Sequence, residues 1–250
     1  MKFYILGSGS GGNCTIFEDD GVLLLIDMGL SFKRLKEGLK LINKNVIDLD
    51  CVLLTHEHSD HTLGLKYVYP LPIYCTKGTY DNDSVENIVP YQEFKIKDLR
   101  VIPVSTSHDV IDPVGFVLIN KKNEKLVYIT DSGYIPDETI PYLIGADYYI
   151  FESNHDIEME LNAKRSMRTK KRIMSDFGHL SNEDSANYLA DLIRENTKEI
   201  VLAHISREAN THELALETHL RIYKERNIDI SNIKIHCADQ FEIVSGGNKK

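Results

Sequence analysis

The chain has 250 residues, of which 42% are hydrophobic and 27% charged, enough apolar content for a sizeable soluble core. A net charge of −9 excludes a generally basic surface, so phosphate contacts would need locally concentrated cations. The apolar runs are too short for a membrane helix, and Gly7 interrupts the first too early for a signal peptide. Four scattered cysteines suit a reducing compartment. Since no linker stands out, we expect one cytoplasmic domain over residues 1–250, without membrane contact.

The first half of the sequence predicts mostly strands. Runs of strand composition, bounded by turn residues, occur at 2–6, 21–27, 51–55, 73–75, 100–105, 115–120, 125–130 and 148–152. Further strands are expected at 199–203, 233–236 and 241–244. Many strands with few helices favour an α+β fold in which two sheets form the core and the helices lie outside.

Three helices are predicted, at 31–41, 181–196 and 210–226. Ser31 caps the first, and Ser181 opens the second with a capping box. The third is expected to bury an apolar face formed by Leu216, Leu220 and Tyr223. We expect His212 and His219 to lie on its solvated side, and His236 to have a structural role.

A glycine-rich segment follows the first strand. Gly7, Gly9 and Gly12 match the GxGxxG spacing of dinucleotide-binding folds. That function requires a helix directly after the glycines, whereas residues 15–17 and 21–27 have strand composition. The glycines are better explained as a loop whose backbone approaches another loop or a ligand.

The segment HEHSDH contains four potential metal ligands in one turn. His56, His58, Asp60 and His61 follow the buried apolar run 51–54. Imidazole and carboxylate ligands suit zinc, manganese or iron rather than copper(I).

Further ligand types stand at the ends of later strands. His108, Asp131 and His204 each come just after an apolar run. A single strand-end histidine is often structural, but three such residues beside HEHSDH indicate a shared metal site at one sheet edge.

These motifs resemble the metallo-β-lactamase superfamily, which carries HxHxDH with an earlier Asp and a later His, Asp and His. The resemblance spans essentially the whole chain and implies a four-layer αββα sandwich with two divalent metal ions, zinc or manganese. One metal would be held by His56, His58, His108 and Asp131. The other would be held by Asp60, His61, His204 and the shared Asp131. Asp27, in LLLIDMG, would orient the HEHSDH loop without binding metal.

Four further motifs, GSGSGGN, FESNHD, GHLSNED and LAHISREAN, resemble the WalJ/YycJ group, which is related to RNase Z and RNase J. This implies a nuclease, which we expect to be a 5′→3′ DNA exonuclease using a metal-bridging hydroxide. Phe151 stands where RNase Z has a histidine, although Glu152 is retained, so another residue must protonate the leaving group. His179, oriented by Glu152, is the first candidate and His155 the second; His179 could also simply pack its loop. Asp60, Glu152 and His179 are therefore the catalytic candidates.

The run KRSMRTKKR places six cations within residues 164–172 and contains no acid. A solvated charged face would mix both signs, so we expect phosphate contacts. The candidate contacts are Arg165, Arg168, Lys170, Lys171 and Arg172. Hydrogen bonds to a phosphate at the metals are expected from Ser153, Asn154, Ser206 and Arg207.

Other functions share such a site. Ester or thioester hydrolases use the same metals but have no need of the basic run, and a small cyclic phosphodiester is another possible substrate. A non-catalytic nucleic-acid-binding regulator would not need an open metal site. A di-iron redox role is not supported, because we see no flavin-binding domain in the sequence. Metal identity, DNA against RNA, cleavage polarity and oligomeric state stay open.

Overall fold

The computed structural model describes residues 1–248 and contains two seven-stranded sheets. The strands are β1 (Lys2–Gly7), β2 (Cys14–Asp19), β3 (Val22–Ile26), β4 (Cys51–Leu53), β5 (Ile73–Thr76), β6 (Val85–Ile88), β7 (Phe94–Ile96), β8 (Leu99–Ser105), β9 (Val114–Ile119), β10 (Lys125–Ile129), β11 (Tyr148–Glu152), β12 (Glu199–Ala203), β13 (Lys234–Cys237) and β14 (Val244–Gly247). The first sheet has the order β14-β1-β2-β3-β4-β5-β6 and the second the order β13-β12-β11-β10-β9-β8-β7.

Seven α-helices accompany the sheets within the described residues: α1 (Phe32–Leu41), α2 (Ser59–Thr62), α3 (Ile140–Leu143), α4 (Ile157–Asn162), α5 (Met167–Ile173), α6 (Asn182–Leu192) and α7 (His212–Glu225). Ser31 and Ser181 cap α1 and α6 as predicted, each accepting a backbone N–H. None of these helices is both long and apolar enough to cross a membrane.

Alternation along the strands separates three apolar layers. Leu24 and Ile150 face the space between the sheets, where side chains from both sheets pack together. Leu25 faces the other way, against Leu35 and Leu39 of α1. The second sheet is covered by α3, α6 and α7. The predicted αββα sandwich is confirmed.

Because many strands run in the same direction, their carboxyl ends lie together at one edge of each sheet. Strands β3 to β6 run parallel, as do β10 to β13. Strand β8 shares the direction of β10, since both pair antiparallel with β9. The residues that follow β3, β4, β8, β10, β11 and β12 therefore form loops that meet at one end of the sandwich.

Several element predictions were wrong in detail. The last strand is Val244–Gly247 rather than 241–244, because Asp239 accepts the N–H groups of Phe241 and Glu242 in a turn. Helix α6 ends at Leu192 rather than at 196, and α7 begins with Thr211 as its cap. Strands β6 and β7 and helices α2 to α5 were not predicted; β6 and β7 are short and carry polar residues.

The buried face of α7 also differs from the prediction. Leu220 is 46% exposed, whereas His219 is fully buried. His219 bonds the Ala215 carbonyl through Nδ1 at 2.8 Å and lies 3.2 Å from Ser185 Oγ through Nε2. Because both ring nitrogens have partners on α6 and α7, His219 is part of the helix packing. His212, by contrast, is exposed at 42% of its side chain.

Candidate active site

Three residues at the ends of strands have backbone conformations that non-glycine residues rarely adopt. Asp27 follows β3 with φ +59°, Asp131 follows β10 with φ +57°, and His204 follows β12 with φ +55°. All three are buried. Seven other non-glycine residues of the described chain also have positive φ, but none of them is buried. Left-handed backbone at non-glycine residues is costly and concentrates at functional sites, so the three buried instances mark this end of the sandwich.

One group of ligand atoms comes from His56, His58 and His108, whose nitrogens lie within 4.8 Å of one another. His108 donates Nδ1–H to the Gly178 carbonyl at 3.0 Å, which leaves Nε2 for the site. His56 Nδ1 lies 3.0 Å from Thr55 Oγ1. These bonds fix the ring orientations, as expected of metal-ligand imidazoles.

A second group comes from Asp60, His61 and His204, again within 4.8 Å. His61 Nδ1 lies 2.8 Å from Asp27 Oδ2, and Asp27 Oδ1 also accepts the Thr55 N–H at 2.9 Å. Asp27 therefore holds both ends of the HEHSDH loop while lying behind the ligand atoms, which agrees with the orienting role expected for it.

Asp131 lies between the two groups. Its Oδ2 is 3.3 Å from His61 Nε2, and its Oδ1 is 3.4 Å from His204 Nε2 and 4.0 Å from His108 Nε2. One buried carboxylate therefore reaches ligand atoms of both groups.

The chemistry of this donor set fits divalent cations. Within residues 1–248, His56 Nε2, His204 Nε2 and Asp131 Oδ2 are buried without a hydrogen-bond partner. Burial lowers the pKa of His56, which keeps it neutral as a ligand must be. Burial opposes protonation of His204 as well, but Asp131 and Glu152 outweigh it and raise its pKa to about 9. The carboxylates thus favour positive charge at this position, whether proton or metal.

Glu152, at the end of β11, connects the ligand region to His179. Its Oε1 lies 2.8 Å from His179 Nδ1 and 3.2 Å from His204 Nδ1. Its Oε2 accepts the N–H groups of Ser132 and Leu180. Burial alone would raise the pKa of Glu152, but the charge and hydrogen bond of His179 and the hydrogen bond of His204 lower it to about 2. The carboxylate therefore stays ionised and fixes the ring of His179, whose side chain remains 13% exposed.

A cleft of about 310 Å³ opens over these groups. It is lined by Ser10, His58, Ser59, Asp60, His108, Asp131, Arg172, His179 and His204. His179 stacks on the His204 ring with a centroid distance of 5.2 Å. The second candidate acid, His155, is 2% exposed and does not line this cleft; burial lowers its pKa to about 4.

The basic run covers most of α5 and the residues just before it, but its cations differ in their contacts. Arg172 pairs with Asp109 at 2.5 Å on the rim of the cleft. Lys170 is buried and donates to the Leu161 carbonyl, which argues against the phosphate contact expected for it. Arg165 pairs with two carboxylates, Glu160 and Glu208.

Two exposed cations of α5 remain unpaired: Arg168 and Lys171 form no salt bridge with any residue that the structure describes. They offer a free positive surface beside the cleft.

Two expected phosphate donors, Ser153 and Asn154, lie in the interior instead. Ser153 Oγ donates to Asn182 Oδ1 at 2.7 Å, and Asn154 Nδ2 donates to the His204 carbonyl at 2.8 Å. Asn210 Nδ2 bonds the carbonyls of both. This buried network positions the His204 loop, which corrects the substrate contact expected for these two residues.

The other two expected donors lie outside the cleft lining. Ser206 Oγ accepts hydrogen bonds from Arg165 and from the Ala209 N–H. The Arg207 guanidinium lies 4.9 Å from the Phe241 ring centroid. Neither residue lines the cleft over the ligand groups, so a contact with a phosphate at the metals is not favoured.

Asn13 and Gly29 were missed as site residues. Asn13 donates its N–H to the Asp60 carbonyl at 2.7 Å, accepts the Gly29 N–H, and places Nδ2 2.9 Å from His61 Nε2. A Cβ on Gly29 would lie 1.6 Å from the Asp60 carbonyl oxygen, so that only glycine fits. The motifs GSGSGGN and LLLIDMG contain both residues, but sequence cannot show that the two loops interlock at HEHSDH.

The arrangement defines a class of protein: an αββα sandwich with histidine and aspartate ligands at the strand ends. A family model described as a beta-lactamase superfamily domain matches residues 23–205. The metallo-β-lactamase fold protein YhfI from Bacillus subtilis superimposes with a TM-score of 0.71 at 18% identity, covering 98% of this chain and 99% of its own. This chain belongs to the metallo-β-lactamase superfamily and is a metal-dependent hydrolase.

Within the superfamily, the chain is WalJ/YycJ-like. It is 36% identical to the exodeoxyribonuclease YycJ of Bacillus anthracis, with 96% of each chain covered. It is also 36% identical to the exodeoxyribonuclease WalJ of Streptococcus pneumoniae serotype 2 (strain D39 / NCTC 7466), with 86% of this chain and 85% of WalJ covered. The subfamily resemblance inferred from the motifs is confirmed.

Proposed function

We propose that this chain is a binuclear-metal phosphodiesterase that degrades DNA exonucleolytically from the 5′ end. The observation that carries the proposal is the pair of ligand groups around Asp131, one of three histidines and one of Asp60 with two histidines. Zinc and manganese both suit these donors. The names of the two curated relatives support an exodeoxyribonuclease activity.

Bound divalent metals would neutralise the charge of a phosphodiester and lower the pKa of water, which supplies a nucleophile near neutral pH. The residues assigned to hold them are His56, His58, His108, Asp60, His61, His204 and Asp131. Asp27 and Asn13 keep one of these ligands in place, through their contacts with His61.

His179 is proposed to protonate the leaving sugar oxygen. Its ring lines the cleft beside Asp131, and Glu152 holds Nδ1, so that Nε2 is the nitrogen available to the substrate. An ionised Glu152 accepts the Nδ1–H of His179, so the proton for the leaving oxygen would come from Nε2. Glu152 acts through His179 and His204 and is therefore a positioning residue.

Arg168 and Lys171 are proposed to contact the phosphate backbone of DNA. They are exposed on α5, whose Arg172 reaches the rim of the cleft. Backbone contacts of this kind carry no sequence information, which suits an exonuclease that must accept any sequence. An ester or thioester hydrolase would have no use for this cationic surface.

The test is digestion of DNA and RNA, single- and double-stranded, labelled at the 5′ or the 3′ end, with Mn²⁺ or Zn²⁺ added. An Asp60→Ala/His61→Ala variant is the control. Wild-type protein should release the 5′ label of DNA first, in a product one residue long, and the variant should be inactive.

If the 3′ label is released first, the proposed 5′→3′ polarity is wrong. If RNA is cut in preference to DNA, the proposed substrate is wrong. If no polynucleotide is cut while a thioester or a cyclic phosphodiester is hydrolysed, the nuclease proposal is wrong.

A further inference from the structure

A second cleft, of about 400 Å³, lies next to the one over the metal ligands. The two clefts share His179 in their linings. A group that enters the second cleft while its phosphate lies at the metal ligands therefore passes beside the proposed proton donor. The group in the second cleft would therefore be the leaving group of the phosphodiester, because the leaving oxygen is the atom that takes the proton.

The second cleft has the chemistry of a nucleoside site rather than a phosphate site. Tyr134 and Tyr188 supply aromatic rings, and Tyr134 is 42% exposed. Asp176 and Asp184 supply carboxylates, and the described lining contains no Lys or Arg. Carboxylates repel phosphate but accept hydrogen bonds from the amino and hydroxyl groups of a nucleoside, while aromatic rings stack on bases of any sequence.

His155 adds an unsatisfied polar group to this lining. It is 2% exposed, and its Nδ1 is buried without a hydrogen-bond partner among the described residues. Buried polar atoms are normally paired, so this nitrogen lacks the partner that a water or another polar group would supply.

We infer that the second cleft binds the leaving nucleoside, which in a 5′→3′ exonuclease is the terminal residue of the DNA strand. This inference rests on the proposed function. In the reaction, the oxygen of water bonds to phosphorus and one water proton is released to solvent. The P–O3′ bond breaks, and the 3′-oxygen of the terminal nucleoside takes a proton from His179, which solvent then restores. A cleft of about 400 Å³ has room for one nucleoside.

The first test compares two oligonucleotides that differ only at the 5′-terminal residue, which carries a base in one and a tetrahydrofuran abasic residue in the other. The quantity measured is the ratio of their kcat/KM values for the first cleavage. Wild-type protein should prefer the terminal base by a factor on the order of ten, the scale of one base–aromatic stack.

Tyr134→Ala, alone and combined with Tyr188→Leu, should bring this ratio close to one. Tyr67→Ala is the matched control, because Tyr67 is 44% exposed and does not line either cleft. A wild-type ratio near one, or an unchanged ratio in the Tyr134→Ala variant, would overturn the inference.

A binding measurement separates this inference from the proposed function. Saturation-transfer NMR with 2′-deoxyadenosine and the purified chain reports on the cleft even if no DNA is cut. Transfer to the nucleoside should be present in wild type and reduced in Tyr134→Ala. Absence of transfer in wild type overturns the nucleoside site, whereas DNA hydrolysis would still stand or fall on its own assay.

Discussion

Glu152 is the residue through which the ligand region and the proposed proton donor are joined. A single carboxylate oxygen lies 2.8 Å from His179 Nδ1 and 3.2 Å from His204 Nδ1. The other oxygen is held by two backbone N–H groups, so the carboxylate cannot rotate freely. Movement of the His204 loop is therefore expected to change the orientation of His179 as well.

The role of His179 can be separated from metal binding by the choice of leaving group. His179→Gln should lower kcat on DNA by roughly 10²- to 10⁴-fold, the usual contribution of a general acid. Hydrolysis of bis(p-nitrophenyl) phosphate should fall far less, because p-nitrophenolate leaves without a proton. Steady-state kinetics on both substrates, together with metal content per chain, measures the difference.

His212→Gln is the control, because His212 is an exposed histidine outside both clefts. An equal loss of activity on both substrates, or a loss of metal in His179→Gln, would show that His179 supports the metal site rather than the leaving group.

Among the helices, α5 carries both paired and unpaired cations. Arg172 and Lys170 are engaged by protein acceptors, whereas Arg168 and Lys171 face solvent and form no salt bridge within the described residues. Exposed cations that meet phosphates release counterions, so their effect should depend on salt.

Arg168→Glu combined with Lys171→Glu should raise KM on DNA by a factor on the order of ten at low salt. The slope of log K against log salt should become shallower by about 0.7–0.9 for each phosphate that the variant no longer neutralises. Binding measured at several salt concentrations tests both statements.

Lys33→Glu with Lys40→Glu, on exposed positions of α1, gives the same change of net charge at another place. If this control weakens DNA binding as much as the α5 variant does, only overall charge matters and α5 is not the contact surface.

Glu199, the first residue of β12, joins elements of both sheets. Its Oε1 accepts from Lys234 at 2.6 Å and lies 2.8 Å from His236 Nε2, both on β13 of the second sheet. Its Oε2 accepts the Gly247 N–H at 2.7 Å from β14, the edge strand of the first sheet. His236 thus has a structural contact in this cluster.

This cluster predicts a pH dependence of stability. Burial opposes ionisation of Glu199, but His236, Lys234 and the Gly247 N–H lower its pKa from 4.5 to about 2. Because the pKa is lower in the folded chain, the ionised Glu199 carboxylate stabilises the fold fully above pH 4.5. This stabilisation is lost as the pH falls toward 2. Glu199→Gln should therefore lower the free energy of unfolding by about 1–3 kcal/mol at neutral pH.

Urea unfolding of wild type and Glu199→Gln from about pH 7 down to about pH 3 measures this effect. The gap between the two proteins should narrow as the pH falls below about 5. A gap that stays constant over this range would mean that the charge of Glu199 contributes nothing.

Over the molecule as a whole, sequence predicts what local pattern encodes. Four candidate ligand residues in HEHSDH, and single ones at His108, Asp131 and His204, can be recognised because each follows a predicted strand. Parallel strands bring their carboxyl ends to one edge of a sheet. The sandwich follows from the same strands. Caps such as Ser31 and Ser181 are equally local.

What sequence could not reveal depends on burial and on contacts between distant segments. Ser153 and Asn154 look like exposed donors, yet they bond Asn182, Asn210 and the His204 backbone in the interior. Six basic residues in nine appear equivalent until the acids of other segments, such as Asp109 and Glu208, are placed beside them.

The two ligand groups that share Asp131 are proposed to form one binuclear centre that hydrolyses DNA. A titration of metal-free protein with Mn²⁺ or Zn²⁺, following bound metal per chain and DNA hydrolysis in the same samples, tests this proposal. Two ions should bind and hydrolysis should rise with the second, while Asp131→Ala should neither retain two ions nor cut DNA. Full hydrolysis with one ion per chain, or hydrolysis that survives chelation, would contradict a binuclear centre.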